Sequence, residues 1–477
     1  MKRILITTLT FFLLFCQKTN AQKWVDTLYQ IQQTNNIEYD VQADYAGNMR
    51  SLTMNICVPT TDNPPICGRP LLIAIHGGAF LAGSKDADLP PAMIRDFAKR
   101  GYTTASINYR LGMFQTNALI NCNISLLGIG WNCLNMQDTA EWYRAAYRGM
   151  QDAKSAIRYL INNANTYQID PRNVYVVGES AGGFIALATT FLDEAIEKPI
   201  ECGVLPNVIP PNAIYENQCI QTPGFDTSIA LMNLSRPDLG SIDGTGNPTT
   251  IPYTIKGVGN FFGGIMQDVF TQHSYSQAPA LYMFHQFNDL VVPYNYNNIL
   301  QGITYCYTQF PANCQWIINR PKSYGSRGIK NMIDGLNGAI IPLPNILFDT
   351  TANNGDCLAQ ANNPAHSIDN YWLRTTNMAS FFANTIDTND VCTPTSTSHI
   401  SKNNSIKIYP NPIIQNQCMI HSEFKIEKVT LIDIQGKIVF SSNENKTLYT
   451  FPTLPSGIYF LKVNTTKEVN MIKVIIK

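Results

Sequence analysis

The chain has little charge for its length. Only 14% of its 477 residues are charged, and 34 Lys and Arg residues balance 34 Asp and Glu residues. Proteins that bind nucleic acid or an anionic membrane surface need a basic face, and this composition supplies no basic excess. We therefore expect neither nucleic acid nor a charged lipid surface among the partners.

Long apolar runs and metal-binding spacings are also scarce. Beyond the N-terminus, no segment supplies the roughly 20 consecutive apolar residues that span a bilayer. No Cys and His cluster has zinc spacing, and no glycine-rich phosphate loop occurs. The sequence thus predicts no integral membrane segment in the mature protein, no metal and no other cofactor.

The N-terminus has the pattern of a secretory signal peptide. A basic start at residues 1–3 precedes a short apolar run, and the small residue Ala21 ends the polar stretch that follows. The apolar run is too short to span a bilayer, and Phe15 before Cys16 does not suit a lipoprotein signal. We therefore assign residues 1–21 to a signal peptide and expect export.

The most informative motif is GESAG at residues 178–182. It follows a β-type run at 173–177 and opens an apolar helical stretch at 184–188. A serine on such a strand-to-helix turn projects its hydroxyl from the top of a sheet, and small neighbours are needed because the backbone is crowded there. Ser180 is therefore the candidate nucleophile.

A second motif, HGGAF at residues 76–80, follows the apolar run at 71–75. Acyl transfer passes through an oxyanion that needs N–H donors, and small residues let the backbone approach it. The candidate donors are the backbone N–H groups of Gly78, Ala79 and Ala181, with Gly77 as the alternative. We expect His76 to brace this loop through a hydrogen bond and not to act as a catalyst.

With these motifs in this order, the chain resembles the α/β-hydrolase superfamily, in particular serine esterases with an HGGG-type loop and a GESAGG elbow. The resemblance covers most of residues 50–390 and includes NYRLG at 108–112 and IDP at 169–171. Ala79 replaces the third glycine of the loop, which is a mild departure because alanine keeps its N–H. The resemblance implies an α/β fold, with a mostly parallel central sheet, helices on both faces and an inserted cap.

The superfamily order of nucleophile, acid and base places the other two catalytic residues after Ser180. Asp289 follows a strand candidate at 281–285 and precedes a Val-Val-Pro segment, as the acid of this superfamily does. Of the six histidines, His366 is the one that follows this acid within the hydrolase region, in a polar loop before a helical stretch at 377–382. The competing carboxylates, which have weaker strand context, are Asp334, Asp349 and Asp356. A structural surface histidine is the alternative for His366.

Other polar residues near these motifs are predicted to be structural. Glu179 should support the elbow with its side chain directed away from the Ser180 hydroxyl. Asp152 is expected near a helix start, and Asp170 in an Asp-Pro turn. We expect His285 to be a buried strand residue. Tyr109 and Arg110 are candidates for bracing the oxyanion loop.

Two segments interrupt the catalytic domain, which we assign to residues 22–392. Residues 197–252 are rich in Pro and Asn and predict a cap, and residues 301–355 predict a second insertion. Loops at this end of the sheet usually line the substrate pocket, with surface padding as the alternative for both segments.

Apart from Cys16 and Cys418, the chain has ten cysteines, an even number that suits an oxidising compartment. Sequence alone does not establish their connectivity. Short separations predict the pairs Cys57–Cys67, Cys122–Cys133, Cys202–Cys219, Cys306–Cys314 and Cys357–Cys392.

The C-terminal part changes character. Residues 393–405 form a Thr- and Ser-rich linker, and 406–477 have a small all-β pattern. The motifs IYPNP, DIQGK, LPSGIYFLKV and KVIIK occur there in order. This segment resembles the type A sorting domain of type IX secretion cargo, with a β-sandwich carbohydrate-binding module as the alternative. The resemblance implies Sec export, contact with the type IX machinery, crossing of the outer membrane and removal of the domain.

Together these features predict a secreted or cell-surface serine carboxylic-ester hydrolase that works through an acyl-enzyme. Its substrates would be acyl or feruloyl esters of polysaccharides, or other short-acyl or aromatic esters. Type B carboxylesterases share the elbow and oxyanion motifs, but they usually have a glutamate acid and a longer chain, so we favour the hormone-sensitive-lipase or feruloyl-esterase-like groups. The alternatives are a serine peptidase of the same fold and a non-catalytic binding protein.

Overall fold

The computed structural model describes residues 22–113, 139–208, 234–271, 276–302, 320–337, 339, 341–362, 364–389, 406–422, 424–433, 437–467 and 469–476. The chain divides into two compact units, residues 1–392 and 393–477. The predicted signal peptide and linker lie outside the described residues. None of the helices within these ranges is long and apolar enough to cross a membrane.

The N-terminal unit alternates strands and helices. Its described strands are β1 (Ile31–Ala43), β2 (Met49–Pro59), β3 (Arg69–Ile75), β4 (Thr103–Ile107), β5 (Ile169–Glu179), β6 (Leu205–Val208), β7 (Leu234–Arg236), β8 (Ile255–Phe261), β9 (Gly264–Ile265), β10 (Ala280–Gln286), β11 (Tyr296–Asn298), β12 (Lys322–Gly325) and β13 (Ile346–Thr351). Its described α-helices are α1 (Leu89–Lys99), α2 (Thr139–Asn162), α3 (Ala164–Tyr167), α4 (Ala181–Phe191), α5 (Ser326–Gly335), α6 (Cys357–Asn362) and α7 (Tyr371–Ala383).

Eight of the described strands form one central sheet in the order β1-β2-β4-β3-β5-β8-β10-β13. The β1–β2 and β2–β4 pairs are antiparallel, and every later pair in this order is parallel. Strands β3 and β10 are buried along their whole length, which explains their unbroken apolar runs. This mostly parallel sheet confirms the predicted α/β-hydrolase fold.

Helices cover both faces of the sheet. Successive side chains of a strand point to opposite faces, so Leu71, Ile73 and Ile75 of β3 join a core with α2 and α4. Leu72 and Ala74 join a second core with α1 and α7. The sheet therefore separates two apolar layers, and the loops at the C-terminal ends of its parallel strands are left to carry polar side chains.

Helix α2 is longer than the sequence suggested. It begins at Thr139, so Asp152 lies in its middle and not near its start. The preceding turns contain Ala, Glu, Arg and Met, which all favour a helix. Asp152 is buried there because it pairs with Arg110 at 2.7 Å and also accepts the Arg110 backbone N–H at 2.7 Å. Asp152 is therefore structural as predicted, but it acts through its ion pair with Arg110 and not at a helix start.

The predicted second insertion contains a strand at the edge of the central sheet. Residues 346–351 form β13, which pairs with β10 in parallel from Leu281–Ile346 to Gln286–Thr351. The prediction missed it because an edge strand is only half buried, and its apolar run is three residues long. In the predicted cap, the described residues include the antiparallel pair β6–β7; the cap assignment stays a prediction.

Two of the predicted disulfides are wrong. Cys57 and Cys202 are free and buried, which excludes the Cys57–Cys67 and Cys202–Cys219 pairs. Cys67 and Cys357 are each disulfide-bonded. Short sequence separation misled the prediction, because Cys57 lies within β2 with its side chain in the core under α1. The other three pairs each include a cysteine outside the described residues and stay predictions.

The C-terminal unit is a separate β-structure with its own apolar core. Its described strands are β14 (Ile406–Ile414), β15 (Gln417–Ser422), β16 (Ile426–Asp433), β17 (Ile438–Ser442), β18 (Leu448–Thr450), β19 (Gly457–Thr465) and β20 (Val469–Ile476). They are hydrogen-bonded in the order β17-β16-β19-β20-β14-β15-β18. The predicted all-β character is thereby confirmed.

Candidate active site

Ser180 occupies the sharp turn between β5 and α4. Its backbone lies at φ 51° and ψ −122°, a positive φ that side-chain-bearing residues rarely adopt. Its N–H donates to the carbonyl of Phe261 at 2.9 Å, which ties the turn to β8. A Cβ on Gly182 would lie 2.2 Å from the carbonyl oxygen of Ile75, so only glycine allows α4 to pack this closely on β3.

Three separate segments bring Ser180, His366 and Asp289 together. The Ser180 Oγ lies 2.8 Å from the His366 Nε2, and the His366 Nδ1 lies 2.7 Å from the Asp289 Oδ2. Ser180 comes from the elbow, Asp289 from the turn after β10, and His366 from the loop before α7. The three sequence-predicted residues thus form one continuous hydrogen-bonded chain.

Asp289 is a carboxylate held entirely by N–H donors. Its Oδ1 accepts the backbone N–H groups of Val291 at 2.8 Å and Val292 at 3.1 Å. Its Oδ2 is shared by His366 and by His285, whose Nε2 lies at 3.1 Å. Burial opposes ionisation, but the charge of His366 and these hydrogen bonds hold the pKa of Asp289 well below its usual range. The carboxylate is therefore ionised at neutral pH.

The His366 imidazole is fixed by its surroundings and remains 16% exposed. The Phe262 ring meets it edge to face, with the ring centroids 4.6 Å apart. The preceding residue, Ala365, donates its N–H to the Gln360 Oε1 at 2.9 Å, and the Gln360 Nε2 donates to the Asn288 carbonyl at 3.1 Å. This buried amide joins the histidine loop to the acid turn. No sequence motif marked Gln360, which the prediction missed.

The competing carboxylates have other partners. Asp334 pairs with Lys330 at 2.7 Å on the surface of α5. Asp349 accepts from the Tyr282 hydroxyl at 2.9 Å within the sheet. Asp356 accepts two backbone N–H groups at the start of α6. The geometry therefore places Asp289 beside His366 and assigns these three carboxylates to structural contacts.

The oxyanion loop supplies unpaired N–H groups. Gly78 lies at φ 104° and Ala79 at φ 54°, and the Gly78 carbonyl accepts the N–H groups of Leu81 and Ala82, closing a tight turn. Within the described residues, the N–H groups of Gly78, Ala79 and Ala181 donate no hydrogen bond. Such donors at the top of the sheet are suited to an oxyanion.

Glu179, the residue before Ser180, packs against Gly77. The Glu179 Oε1 accepts the Leu89 N–H at 2.9 Å, and the Gly77 N–H also stabilises this carboxylate. Burial, partly offset by these donors, raises the pKa of Glu179 from 4.5 to about 7. The assignment of the Gly78, Ala79 and Ala181 N–H groups as oxyanion donors, with Gly77 as the alternative, stays a prediction.

His76 is wholly buried beneath the same loop. Its Nδ1 donates to the Gly77 carbonyl at 2.7 Å, and its ring stacks on Tyr109 with centroids 4.4 Å apart. The Tyr109 hydroxyl donates to the His76 carbonyl at 3.2 Å. Burial lowers the pKa of His76 from 6.5 to about 4, so the ring is neutral near pH 7. This geometry fits the bracing role that the sequence suggested for both residues.

Comparison with known proteins supports this description. A BD-FAE family model matches residues 54–121 and 115–204, which include the oxyanion loop and the elbow. A secretion system C-terminal sorting domain matches residues 407–477. The second match confirms the predicted sorting domain in place of a carbohydrate-binding module. It also confirms the predicted localisation, because such a tail directs type IX secretion to the cell surface or extracellular space.

The chain is similar to several curated proteins over about a third of its length. Phenmedipham hydrolase of Pseudarthrobacter oxydans is 31% identical over 134 residues, which are 28% of this chain and 22% of the relative. Carboxylesterase patB of Aspergillus clavatus is 27% identical over 179 residues, 36% of this chain and 28% of the relative. Neuroligin-like protein glit-1 of Caenorhabditis elegans is 30% identical over 131 residues, 28% of this chain and 14% of the relative.

The chain therefore spans less than a third of the length of these relatives. Among solved structures, a truncated carbohydrate esterase from gut microbiota aligns with 75% of this chain and 98% of its own, at 16% identity and a TM-score of 0.39. The two family matches, at residues 54–204 and 407–477, thus show similarity of the N-terminal unit to BD-FAE α/β-hydrolase esterases and of the C-terminal unit to the type IX secretion sorting domain.

Proposed function

We propose that the N-terminal unit is a serine carboxylic-ester hydrolase with Ser180 as nucleophile, His366 as base and Asp289 as acid. One observation carries this proposal: Ser180, His366 and Asp289 are joined by hydrogen bonds of 2.8 and 2.7 Å. Unpaired backbone N–H groups in the neighbouring loop support it. The similarity to carboxylesterases and to a BD-FAE domain supports the same reaction class.

In the acylation step, the Ser180 Oγ attacks the ester carbonyl while the His366 Nε2 accepts the hydroxyl proton. Asp289 keeps the Nδ1–H tautomer of His366 and stabilises the imidazolium. The N–H groups of Gly78, Ala79 and Ala181 donate to the oxyanion of the tetrahedral intermediate. The His366 imidazolium then protonates the leaving alcohol, and the acyl group remains on Ser180.

In the deacylation step, a water molecule replaces the alcohol. His366 accepts one proton of this water, and the resulting oxygen nucleophile attacks the acyl-enzyme carbonyl. The same N–H groups stabilise the second intermediate. Collapse of that intermediate releases the carboxylic acid and returns the proton from His366 to Ser180.

The substrates we propose are acyl or feruloyl esters of polysaccharides, or other short-acyl or aromatic esters. A small apolar cavity lies beside α4, and we propose it as a site for part of the acyl group. Phe184, one helical turn after Ser180, lines it together with Tyr143, Ile265 and Val269. Export beyond the outer membrane places the enzyme where polymer-linked esters occur. The sorting domain would contact the type IX machinery during that export.

The test is hydrolysis of p-nitrophenyl esters, from acetate to long acyl chains, by the mature protein. Ser180→Ala should lose the activity and keep the fold, because removing a nucleophile that acts with its base costs several orders of magnitude in kcat. Ser51→Ala, at an exposed position of β2, is the matched control and should keep full activity.

A peptide p-nitroanilide separates the alternatives. Cleavage of the anilide with little ester turnover would favour a serine peptidase. A folded wild-type protein that hydrolyses neither class of substrate would contradict the proposal and favour a binding protein. Activity that survives Ser180→Ala would contradict the assigned nucleophile.

A further inference from the structure

We propose that His285 is a positioning residue for the triad, held in place by Ser326 and Asn260. The proposal rests on the function proposed above and extends its hydrogen-bonded chain behind the acid. The sequence marked His285 only as a buried strand residue of β10. Its side chain nevertheless contacts Asp289 on the side of the carboxylate opposite to the backbone donors of the turn.

Asn260, Ser326 and His285 are completely buried, and so is the side chain of Asp289. The Asn260 Nδ2 donates to the Ser326 Oγ at 3.2 Å, and the Ser326 Oγ lies 3.1 Å from the His285 Nδ1. The His285 Nε2 lies 3.1 Å from the Asp289 Oδ2 and 3.2 Å from the Val292 carbonyl. Strands β8 and β10 and the first residue of α5 thus converge on the acid.

The neighbours determine which His285 nitrogen carries the proton. The backbone N–H of Ser326 donates to the His285 Nδ1 at 3.3 Å, so this nitrogen is an acceptor. The Nε2 faces the Asp289 carboxylate and the Val292 carbonyl, both of which are acceptors, so it must carry the hydrogen. His285 is therefore a neutral Nε2–H donor to Asp289.

Two imidazoles share one carboxylate oxygen. When His366 becomes an imidazolium, its Nδ1–H donates more strongly to the Asp289 Oδ2. The His285 Nε2–H donates to the same oxygen and holds it in place. A carboxylate that cannot rotate keeps the His366 ring aligned with Ser180. His285 touches neither the nucleophile nor the oxyanion loop, so it acts through Asp289 alone.

This chain of hydrogen-bonded side chains also reaches the turn that carries Ser180. Asn260 accepts the Gly263 N–H at 3.1 Å through its Oδ1. A Cβ on Gly183, three residues after Ser180, would lie 2.4 Å from that same Oδ1. Asn260 therefore packs under the start of α4 while its amide nitrogen supports Ser326. The elbow and the acid turn are supported by one buried polar chain.

The first experiment compares His285→Leu with His285→Gln in the full mature chain, on the p-nitrophenyl ester that the wild type turns over best. The Gln amide can still donate towards Asp289, whereas Leu fills the space without a donor. Losing a hydrogen bond to a charged group predicts a kcat about 10- to 100-fold lower for His285→Leu, with KM within about 2-fold. His285→Gln should recover most of the kcat.

Proton NMR gives a readout that does not need turnover. The His366 Nδ1–H, 2.7 Å from a carboxylate oxygen, should give a strongly downfield signal in the wild type. We expect this signal to broaden or disappear in His285→Leu and to persist in His285→Gln. If the wild type hydrolyses no ester, the proposed function fails, while this signal still tests the positioning role.

Two results would overturn the inference. One is a His285→Leu protein with wild-type kcat and an unchanged downfield signal. The other is an equal loss of kcat and of melting temperature in both His285 variants, which is the outcome of packing alone. Should His285→Leu not fold, Ser326→Ala tests the same chain, with an expected loss of about 3- to 10-fold in kcat and none in KM. Wild-type kcat in Ser326→Ala would contradict the role of Ser326.

Discussion

Glu179, the residue before the nucleophile, should make the protein less stable as the pH rises. Its carboxyl is buried, and its Oε1 accepts the Leu89 N–H at 2.9 Å. Burial raises its pKa from 4.5 to about 7. We expect Glu179→Gln to remove this pH dependence, because the amide keeps an acceptor for Leu89 and carries no charge.

The sign and size follow from proton linkage. Between pH 4.5 and about 7, the folded state keeps a proton on Glu179 that the unfolded state has already lost, so the free energy of unfolding falls as the pH rises. A pKa difference of this size corresponds to about 3 kcal/mol at pH 8. His76 has the opposite sign, because burial lowers its pKa to about 4. His76 is present in both proteins, so the difference in unfolding free energy between wild type and Glu179→Gln isolates the contribution of Glu179.

The assay is urea unfolding of the mature wild-type and Glu179→Gln proteins at several pH values from 4.5 to 8.5. The two should have similar stability near pH 4.5, and the variant should become more stable by about 3 kcal/mol at pH 8. Glu38→Gln, at an exposed carboxylate of β1, is the control for removing a carboxylate from the surface. Parallel pH profiles for wild type and Glu179→Gln would refute the reasoning.

Three further predictions concern the frame of the site. Gly182→Ala places a Cβ 2.2 Å from a backbone carbonyl and should destabilise the protein by several kcal/mol in thermal unfolding, whereas Gly335→Ala, with open space around it, should be tolerated. Asp152→Asn leaves the buried Arg110 guanidinium without its counterion and should cost about 3–5 kcal/mol in urea unfolding. Cys57 should be alkylated by iodoacetamide only after unfolding, and this should need no reductant. If alkylation requires a reductant, Cys57 is disulfide-bonded and the original prediction was right.

The meeting of Ser180, Asp289 and His366, which we propose as nucleophile, acid and base, could be predicted from sequence because local pattern and chain order constrain them strongly. The elbow requires small residues between a strand and a helix, and Ser180 occupies that position. Asp289 follows the buried strand β10, and His366 is the histidine that comes after this acid within the hydrolase region. The edge strand β13, in contrast, has one neighbour and a short apolar run, which is a weak signal.

The supporting residues could not be predicted, because their partners are distant in sequence. Gln360 joins Asn288 and Ala365 through contacts that exist only after folding. His285 is separated from Ser326 by a long segment, although a buried imidazole always needs partners for its nitrogens. That need is the signal that could have marked His285. Cysteine spacing likewise carries no information on which thiols the fold brings together.

The elbow and the oxyanion loop pack directly against each other, so their positions are coupled. Gly182 rests against the end of β3, and Gly77 rests against Ser180, with only 3.1 Å between the Ser180 Cβ and the position a Gly77 Cβ would take. A displacement of one motif necessarily displaces the other, so neither can be retuned alone for a new substrate. Substitutions intended to alter specificity are therefore better placed at side chains outside these contacts.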